Sequence, residues 1–389
     1  MPRLRMLLSV ALLAACNSPT GAVAQDGTPT ATAFPFKVTP VADFDAPWAM
    51  TFLPDGSMLI TEKAGTLLLV SPDGKQKHTV AILPVDAAGQ GGLMDVVLAP
   101  DFAKSRHVYL SYSTAGEGGK GVVLARGQLS DSDDVCSTNN VCWREREPEL
   151  TAVTELFRAT PFVSGNGHYS GRIAFSPDGK YLFFTNGERQ KFDPAQDPKA
   201  TLGKVLRLTL DGRPAPGNPL AAQGFHPAVW SYGHRNLLGI AFDAKGNLWE
   251  QEMGPKGGDE ANLILPGKNY GYPKVSNGDH YDGRDIPDHA PGDGFEAPKV
   301  WWNPVISPGG LIVYSGAMFP QWKGDLFIGG LSSQSLVRVD VNGTNAKKGD
   351  QWPMGARIRE VEQGPDGAIW LLEDGSDGSQ GRLLKLTAN

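Results

Sequence analysis

From Phe34 to the C-terminus, short apolar or alternating runs are punctuated by turn-forming residues, and apolar positions almost never recur at helical spacing. The clearest unit is an apolar strand, a Pro-Asp-Gly turn and a second strand. It begins at Trp48 with its turn at Pro54-Asp55-Gly56, at Gly171 with Pro177-Asp178-Gly179, and at Arg359 with Pro365-Asp366-Gly367. Weaker copies begin at Leu93, Leu238 and Leu311, which makes six. In each, Asp-Gly or its substitute supplies the left-handed backbone that a tight hairpin needs. About 355 residues in six units is roughly 59 each, more than the ~40–45 of a bare four-stranded blade. The excess is expected in inserts near residues 115–165, 188–230 and 255–305, and long loops on a rigid scaffold are where function concentrates. The pattern predicts an all-β chain forming a single six-bladed β-propeller with long functional loops at one end of the channel, a seven-bladed ring being the alternative. The last strand, Gly381-Arg-Leu-Leu-Lys-Leu-Thr387, is placed to close the ring beside Phe36-Lys-Val-Thr-Pro-Val41.

Composition agrees. With 48 Gly and 30 Pro in 389 residues, a helical bundle is excluded, yet the fraction stays below the roughly 25–30% of low-complexity chains. The net charge of −6, with no basic cluster, argues against nucleic acid as a partner. Arg3 and Arg5 followed by an apolar run to Ala15 read as a secretory leader too short to span a bilayer. Its end, Leu13-Ala14-Ala15-Cys16, resembles a lipobox, so residues 1–16 read as a lipoprotein-type signal peptide, with Ala22-Val23-Ala24 as the rival, ordinary cleavage site. Residues 17–33 read as a flexible tether and residues 34–389 as the propeller. The expected location is the bacterial periplasm, with membrane contact only through a lipid anchor at Cys16. Cys136 and Cys142 suit a local disulfide in that oxidising compartment, or else two free thiols.

Strands and turns do not require polar residues where loops enter inner strands, yet Gln90 before Gly91-Gly92, His168 in His-Tyr-Ser-Gly-Arg172, and Arg235 with Asn236 in Ser231-Tyr-Gly-His-Arg-Asn236 all stand there. In a propeller these strand starts converge on one end of the channel. Taken singly, each has an ordinary structural explanation: a hydrogen-bonded His, a turn-shaping Gln, a loop-bracing Arg-Asn pair. The segment Glu252-Met-Gly-Pro-Lys-Gly-Gly-Asp-Glu260 lacks EF-hand spacing but offers carbonyl and carboxylate oxygens to a hard cation. Arg357 and Arg359 alternate along a strand, which puts both guanidinium groups on one face, suited to carboxylates that Arg binds bidentately.

Together these segments resemble the soluble quinoprotein sugar dehydrogenases, the glucose/sorbosone dehydrogenase family that uses pyrroloquinoline quinone (PQQ), over about residues 36–387. The most specific stretches are Trp230-Ser-Tyr-Gly-His-Arg-Asn-Leu-Leu-Gly-Ile-Ala-Phe242, Glu252-Met-Gly-Pro255, Asp259-Glu260-Ala-Asn-Leu-Ile and Gly267-Lys-Asn-Tyr-Gly-Tyr-Pro273. The resemblance implies oxidation of an aldose at its anomeric hydroxyl to a lactone, with an external electron acceptor. His168 is then the general base, oriented by Glu188, and Arg235 stabilises charge on the reduced cofactor. Gln90, Arg235, Asn236, Arg357 and Arg359 hold the quinone. The carbonyls of Gly254 and Pro255 hold a catalytic Ca²⁺, while Glu260 and the Tyr270 carbonyl hold a second, structural Ca²⁺. Two departures stand out. Glu188 replaces a more usual, shorter Asp, and Ser332 or Ser333 stands where relatives carry a cofactor-contacting Lys, for which Lys323 is a candidate substitute. The rival functions are a Ca²⁺-dependent lactonase and a catalytically degenerate sugar- or protein-binding propeller.

Overall fold

A Pro-Asp-Gly segment closes a hairpin because its three residues suit three successive backbone needs. Pro54 presets φ for a type I turn, Gly56 takes a left-handed φ of 85°, and its N–H donates to the Leu53 carbonyl at 2.9 Å. The carboxylate of Asp55 accepts the Ser57 N–H at 2.9 Å. In the computed structural model, which describes residues 34–130, 133–136, 142–376 and 378–389, this hairpin and its five relatives are the inner pairs of six four-stranded antiparallel sheets. The inner strands are Pro47–Phe52, Leu93–Leu98, Ser170–Phe175, Leu237–Phe242, Pro308–Val313 and Ile358–Gln363, leading blades 1 to 6. They pack against one another around the ring. The fold is a six-bladed β-propeller.

In blade 2 the copy without Gly closes through the short helical turn Phe102–Ser105 instead of a tight turn. The stretches read as inserts also carry strands: Gly119–Leu129 and Leu150–Arg158 complete blade 2, Lys204–Thr209 and Val229–Tyr232 blade 3, and Asp259–Ile264 and Val300–Trp302 blade 4. Their alternation is too irregular to be read from sequence.

Blade 6 takes its outer strand from the beginning of the chain. Phe36–Asp43 pairs antiparallel with Arg382–Ala388, Val38 opposite Leu386, with a register shift at Pro40, where a missing N–H cannot serve a ladder. Phe36 is buried, with its ring edge-on to Trp352 at 5.3 Å and Trp322 at 6.3 Å, both from blade 5. The ring-closing strand therefore ties blade 6 to its neighbour. The unit Pro35–Asn389 is compact on its own. The leader, Cys16 and the tether lie outside the described residues, as do the side chains of Cys136 and Cys142, whose backbones stand opposite each other in a two-stranded ladder.

All six inner strands break register within their first residues, at Pro47/Ala49, Leu93/Val96, Ser170/Ile173, Leu237/Gly239, Pro308/Leu311 and Ile358/Glu360. Such irregularities re-aim side chains and are common beside active sites. Here they ring one end of the channel.

Phe36→Ala empties the aromatic joint between blades 5 and 6 and is expected to cost about 3–5 kcal/mol, read as a lowered denaturant midpoint. A loss below about 1 kcal/mol would contradict the role given to ring closure.

Candidate active site

The channel mouth opens into a cavity of about 280 Å³ whose wall includes Lys63, Gln90, Asn236, Arg357, Arg359 and Asp374, with Trp48 and Met94 as apolar lining. Four of the five residues expected to hold a quinone, Gln90, Asn236, Arg357 and Arg359, are thus brought together from blades 2, 4 and 6. Arg357 donates to Asp374 at 2.6 Å and Arg359 lies 3.6 Å from the same carboxylate. Burial, with the neighbouring Arg172 and Arg357 charges adding to it against Asp374, pulls the Arg359 guanidinium down to about 10. One carboxylate facing several cations leaves the cavity positive. Below it, the buried Arg172 pairs with Asp95 at 3.2 Å and with Glu360, and its guanidinium lies 4.1 Å from the Trp48 ring.

A second cavity of about 270 Å³ holds His168, Glu188, Arg235, Pro255 and Tyr272, with Phe192, His280 and Tyr281 at its rim. The two cavities adjoin: His168 and Arg235 line this one, and their chain neighbours Tyr169 and Asn236 line the other. The His168 N–H donates to Gln90 Oε1 at 2.7 Å, and its Nδ1 lies 2.5 Å from Glu188 Oε1. Glu188 is fully buried and also accepts three backbone N–H groups, from Gln190 at 2.9 Å, Lys191 at 2.5 Å and Phe192 at 2.6 Å. Arg189, Gln190 and Phe192 all have left-handed φ, between 59° and 63°, a conformation costing non-glycine residues about 1–3 kcal/mol each. The carboxylate holds that loop as well as the histidine. The extra methylene of Glu over Asp leaves the His168 contact intact.

Burial lowers the His168 pKa; the Glu188 hydrogen bond opposes this, and the Arg235 charge adds to the lowering. Burial would raise the Glu188 carboxyl, but the His168 hydrogen bond, the Phe192 N–H and Arg235 together hold it below the usual range. The pair therefore rests as neutral imidazole and carboxylate.

Gly254, Pro255, Glu260 and Tyr270, expected to serve two cation sites, all line one small hollow of about 10 Å³ with Glu252 and Arg235. Arg235 donates through one guanidinium nitrogen to the carbonyls of Met253, at 2.9 Å, and Gly254, while its Nε, buried, has no partner among the described residues. Behind the hollow, Glu250, Glu252 and Glu260 converge on Asn262 Nδ2 at 3.2, 3.5 and 3.4 Å. Burial, then repulsion from Glu252, raises Glu250 and Glu260 well above the usual carboxyl range. Glu250 Oε1 and Asn262 Oδ1 are buried without partners among the described residues, and ligand atoms of His234, Glu250 and Glu252 lie within 4.8 Å of one another. Buried hard oxygens in this number fit a divalent cation. Sequence reading missed Glu250; the available signal was Glu at two alternate positions of an otherwise buried strand. Glu252 also accepts the N–H groups of Arg235 at 2.5 Å and Asn236 at 3.3 Å, fixing the backbone that carries both residues.

Neither Ser332 nor Ser333 lines these cavities, and Leu331 does. Lys323 is exposed, in the inner hairpin loop of blade 5 at the opposite end of the channel.

Residues 44–385 match the family model described as Glucose / Sorbosone dehydrogenase. Aldose sugar dehydrogenase YliI of Escherichia coli (strain K12) is 40% identical over 357 residues, covering 88% of this chain and 90% of the relative. The apo-form crystal structure of the soluble E. coli aldose sugar dehydrogenase superposes with a TM-score of 0.81 at 37% identity, covering 91% of this chain and all of that one. The PQQ-bound form of aldose sugar dehydrogenase from Streptomyces coelicolor gives 0.71 at 30% identity, covering 90% and 98%. The chain belongs to the glucose/sorbosone dehydrogenase family.

Glu188→Ala should take the acceptor from three part-buried backbone N–H groups and cost about 1–3 kcal/mol, with faster hydrogen exchange at Gln190, Lys191 and Phe192. Unchanged exchange there would show that the carboxylate does not hold the loop.

Proposed function

We propose that this family member is a quinoprotein dehydrogenase that oxidises the anomeric C1 hydroxyl of aldose pyranoses to lactones. One observation carries the reading: a cation-rich cavity adjoins a neutral histidine oriented by a buried carboxylate. Gln90, Asn236, Arg357 and Arg359 would hold PQQ, a tricarboxylate, and Arg235 would meet it from the His168 side. The carbonyls of Gly254 and Pro255, with Glu260 and the Tyr270 carbonyl nearby, would hold Ca²⁺. When bound, the quinone supplies an acceptor for the C1 hydride and Ca²⁺ acts as a Lewis acid beside it.

The rest follows from the chain's own groups. With Nδ1–H committed to Glu188, the lone pair on Nε2 is the base for the O1 proton. As that proton arrives, the buried carboxylate stabilises the imidazolium, and loss of H⁺ from O1 with hydride from C1 leaves the lactone carbonyl. The Arg235 guanidinium places positive charge next to this centre. Phe192 and Tyr281, exposed at the rim, offer aromatic faces to the apolar side of a pyranose. The leader and the lipobox at Cys16 support an exported, periplasmic enzyme tethered by lipid.

The direct test is reconstitution of metal-free protein with PQQ and Ca²⁺, followed by dye reduction with a panel of aldoses. Turnover that needs all three components is expected; neither quinone binding nor turnover would sink the proposal. His168→Ala should still bind quinone while losing about 10²–10⁴-fold in turnover, so unchanged turnover would remove His168 from the chemistry.

The His168 pKa lies below its ordinary 6.5, and the base acts only when neutral. Activity should therefore hold as pH falls to 6.5 and be lost at lower pH, through the depressed pKa. A limb above 6.5 in kcat/KM would contradict the assignment. Ca²⁺ at a hundredfold excess over its Kd should stabilise the protein by about 2.7 kcal/mol, reversed by EDTA and blunted in Glu260→Gln. A melting temperature indifferent to both would remove the cation site.

A further inference from the structure

We infer that Lys63, a residue of blade 1, is a cofactor-holding cation of the mouth cavity, where its ammonium group pairs with a carboxylate of the bound quinone. This rests on the quinone reading above. Lys63 directly follows the strand Met58–Glu62, and its backbone is fixed on both sides: its N–H donates to the Ala46 carbonyl at 3.0 Å, and its carbonyl accepts the Leu93 N–H at 3.1 Å. That second bond crosses from blade 1 to blade 2.

The side chain reaches the mouth because Gly92 leaves room for it. Gly92 has φ of 135°, and a Cβ there would come within 2.6 Å of Lys63 Cγ and 2.3 Å of the Lys63 carbonyl oxygen. Gly92, the second glycine after Gln90, is thus a passage for the lysine stem. At the end of that path Nζ donates to the Gly89 carbonyl at 2.6 Å, in the turn that presents Gln90. An ammonium group carries two further N–H bonds, and Lys63 belongs to the wall of the same cavity as Arg357, Arg359 and Asp374.

The charges explain what these N–H groups are for. The lining brings together Lys63, Arg357 and Arg359 with Asp374 as its one carboxylate among the described residues, and Arg357 and Arg359 already converge on it. Burial and the Arg359 charge both disfavour the Lys63 ammonium, with Asp374 opposing them. A guest with several carboxylates relieves that repulsion, and a singly charged anion leaves much of it. On the blade 5 side, Ser333 spends its hydroxyl on the Ile306 carbonyl at 3.3 Å and Ser335 at 2.7 Å, so the positive charge absent at residues 332 and 333 is supplied across the mouth.

The test titrates PQQ into the full metal-loaded chain and follows quenching of tryptophan fluorescence, without substrate or turnover. Lys63→Gln and Lys63→Met are compared with wild type; the Met variant keeps most of the stem over Gly92 and removes the ammonium group together with its bond to Gly89. Both should raise Kd about 10- to 100-fold, the worth of one charge-assisted hydrogen bond. Lys63→Arg should restore most of the affinity. Wild-type affinity in Lys63→Met overturns the inference, as does a Lys63→Arg variant no better than Met, which would mark the lysine as a brace for the Gly89 turn. A wild-type chain that binds no quinone refutes the functional reading instead.

Discussion

The pairing of Phe36–Asp43 with Arg382–Ala388 closes the ring, and a closed ring of blades is what places the starts of six inner strands around one channel mouth. Each start then breaks register, so loop residues far apart in sequence turn toward a common space. Without that convergence, Gln90, His168, Asn236 and Arg357 would be isolated polar residues on separate hairpins. Arg172, buried in the starts of the inner strands, pairs with Asp95 and Glu360 from two other blades, so ion pairs as well as packing join the blades around the channel.

Within this frame one carboxylate organises the reacting side. Glu188 binds the imidazole and three amides of a loop whose residues sit in an unfavourable region of backbone space. The same group therefore fixes His168, the proposed base, and the rim against which substrate would rest. Glu252 plays the corresponding part for the other half: it holds the backbone of Arg235 and Asn236 and belongs to the buried carboxylate group beside the hollow proposed to hold Ca²⁺. Each half of the site depends on a single buried acid whose oxygens are nearly all used.

Much of this was legible in the sequence for identifiable reasons. Pro-Asp-Gly turns mark inner hairpins because few residues tolerate their geometry, and strand alternation puts Arg357 and Arg359 on one cavity. His168, Glu188 and Arg235 stood out as polar residues at strand starts or through the family resemblance. The third and fourth strands of blades 2, 3 and 4 were harder, since they lie inside the long segments 115–165, 188–230 and 255–305 and one of them, Asp259–Ile264, is buried at every position and shows no alternation. Glu250 is a polar position inside a strand that is otherwise read as apolar, and taken alone it has nothing that marks it as part of a carboxylate group. Lys63, just past the end of another strand, carried no signal in the sequence, because its significance depends on Gly92 and on Arg359 in blade 6, which come near it only in the folded ring. Lys323, a cation chosen by proximity in sequence, lies at the wrong end of the channel.

In the proposed chemistry hydride leaves C1 of an aldose while His168 takes the O1 proton. Single-turnover reduction of the reconstituted protein, followed through the cofactor absorbance with C1-protiated and C1-deuterated aldose, tests it most directly. Reduction is expected to be several-fold slower with deuterium in the wild type, and to be lost with both sugars in His168→Ala. Reduction at equal rates with the two sugars, undiminished in His168→Ala, would contradict it.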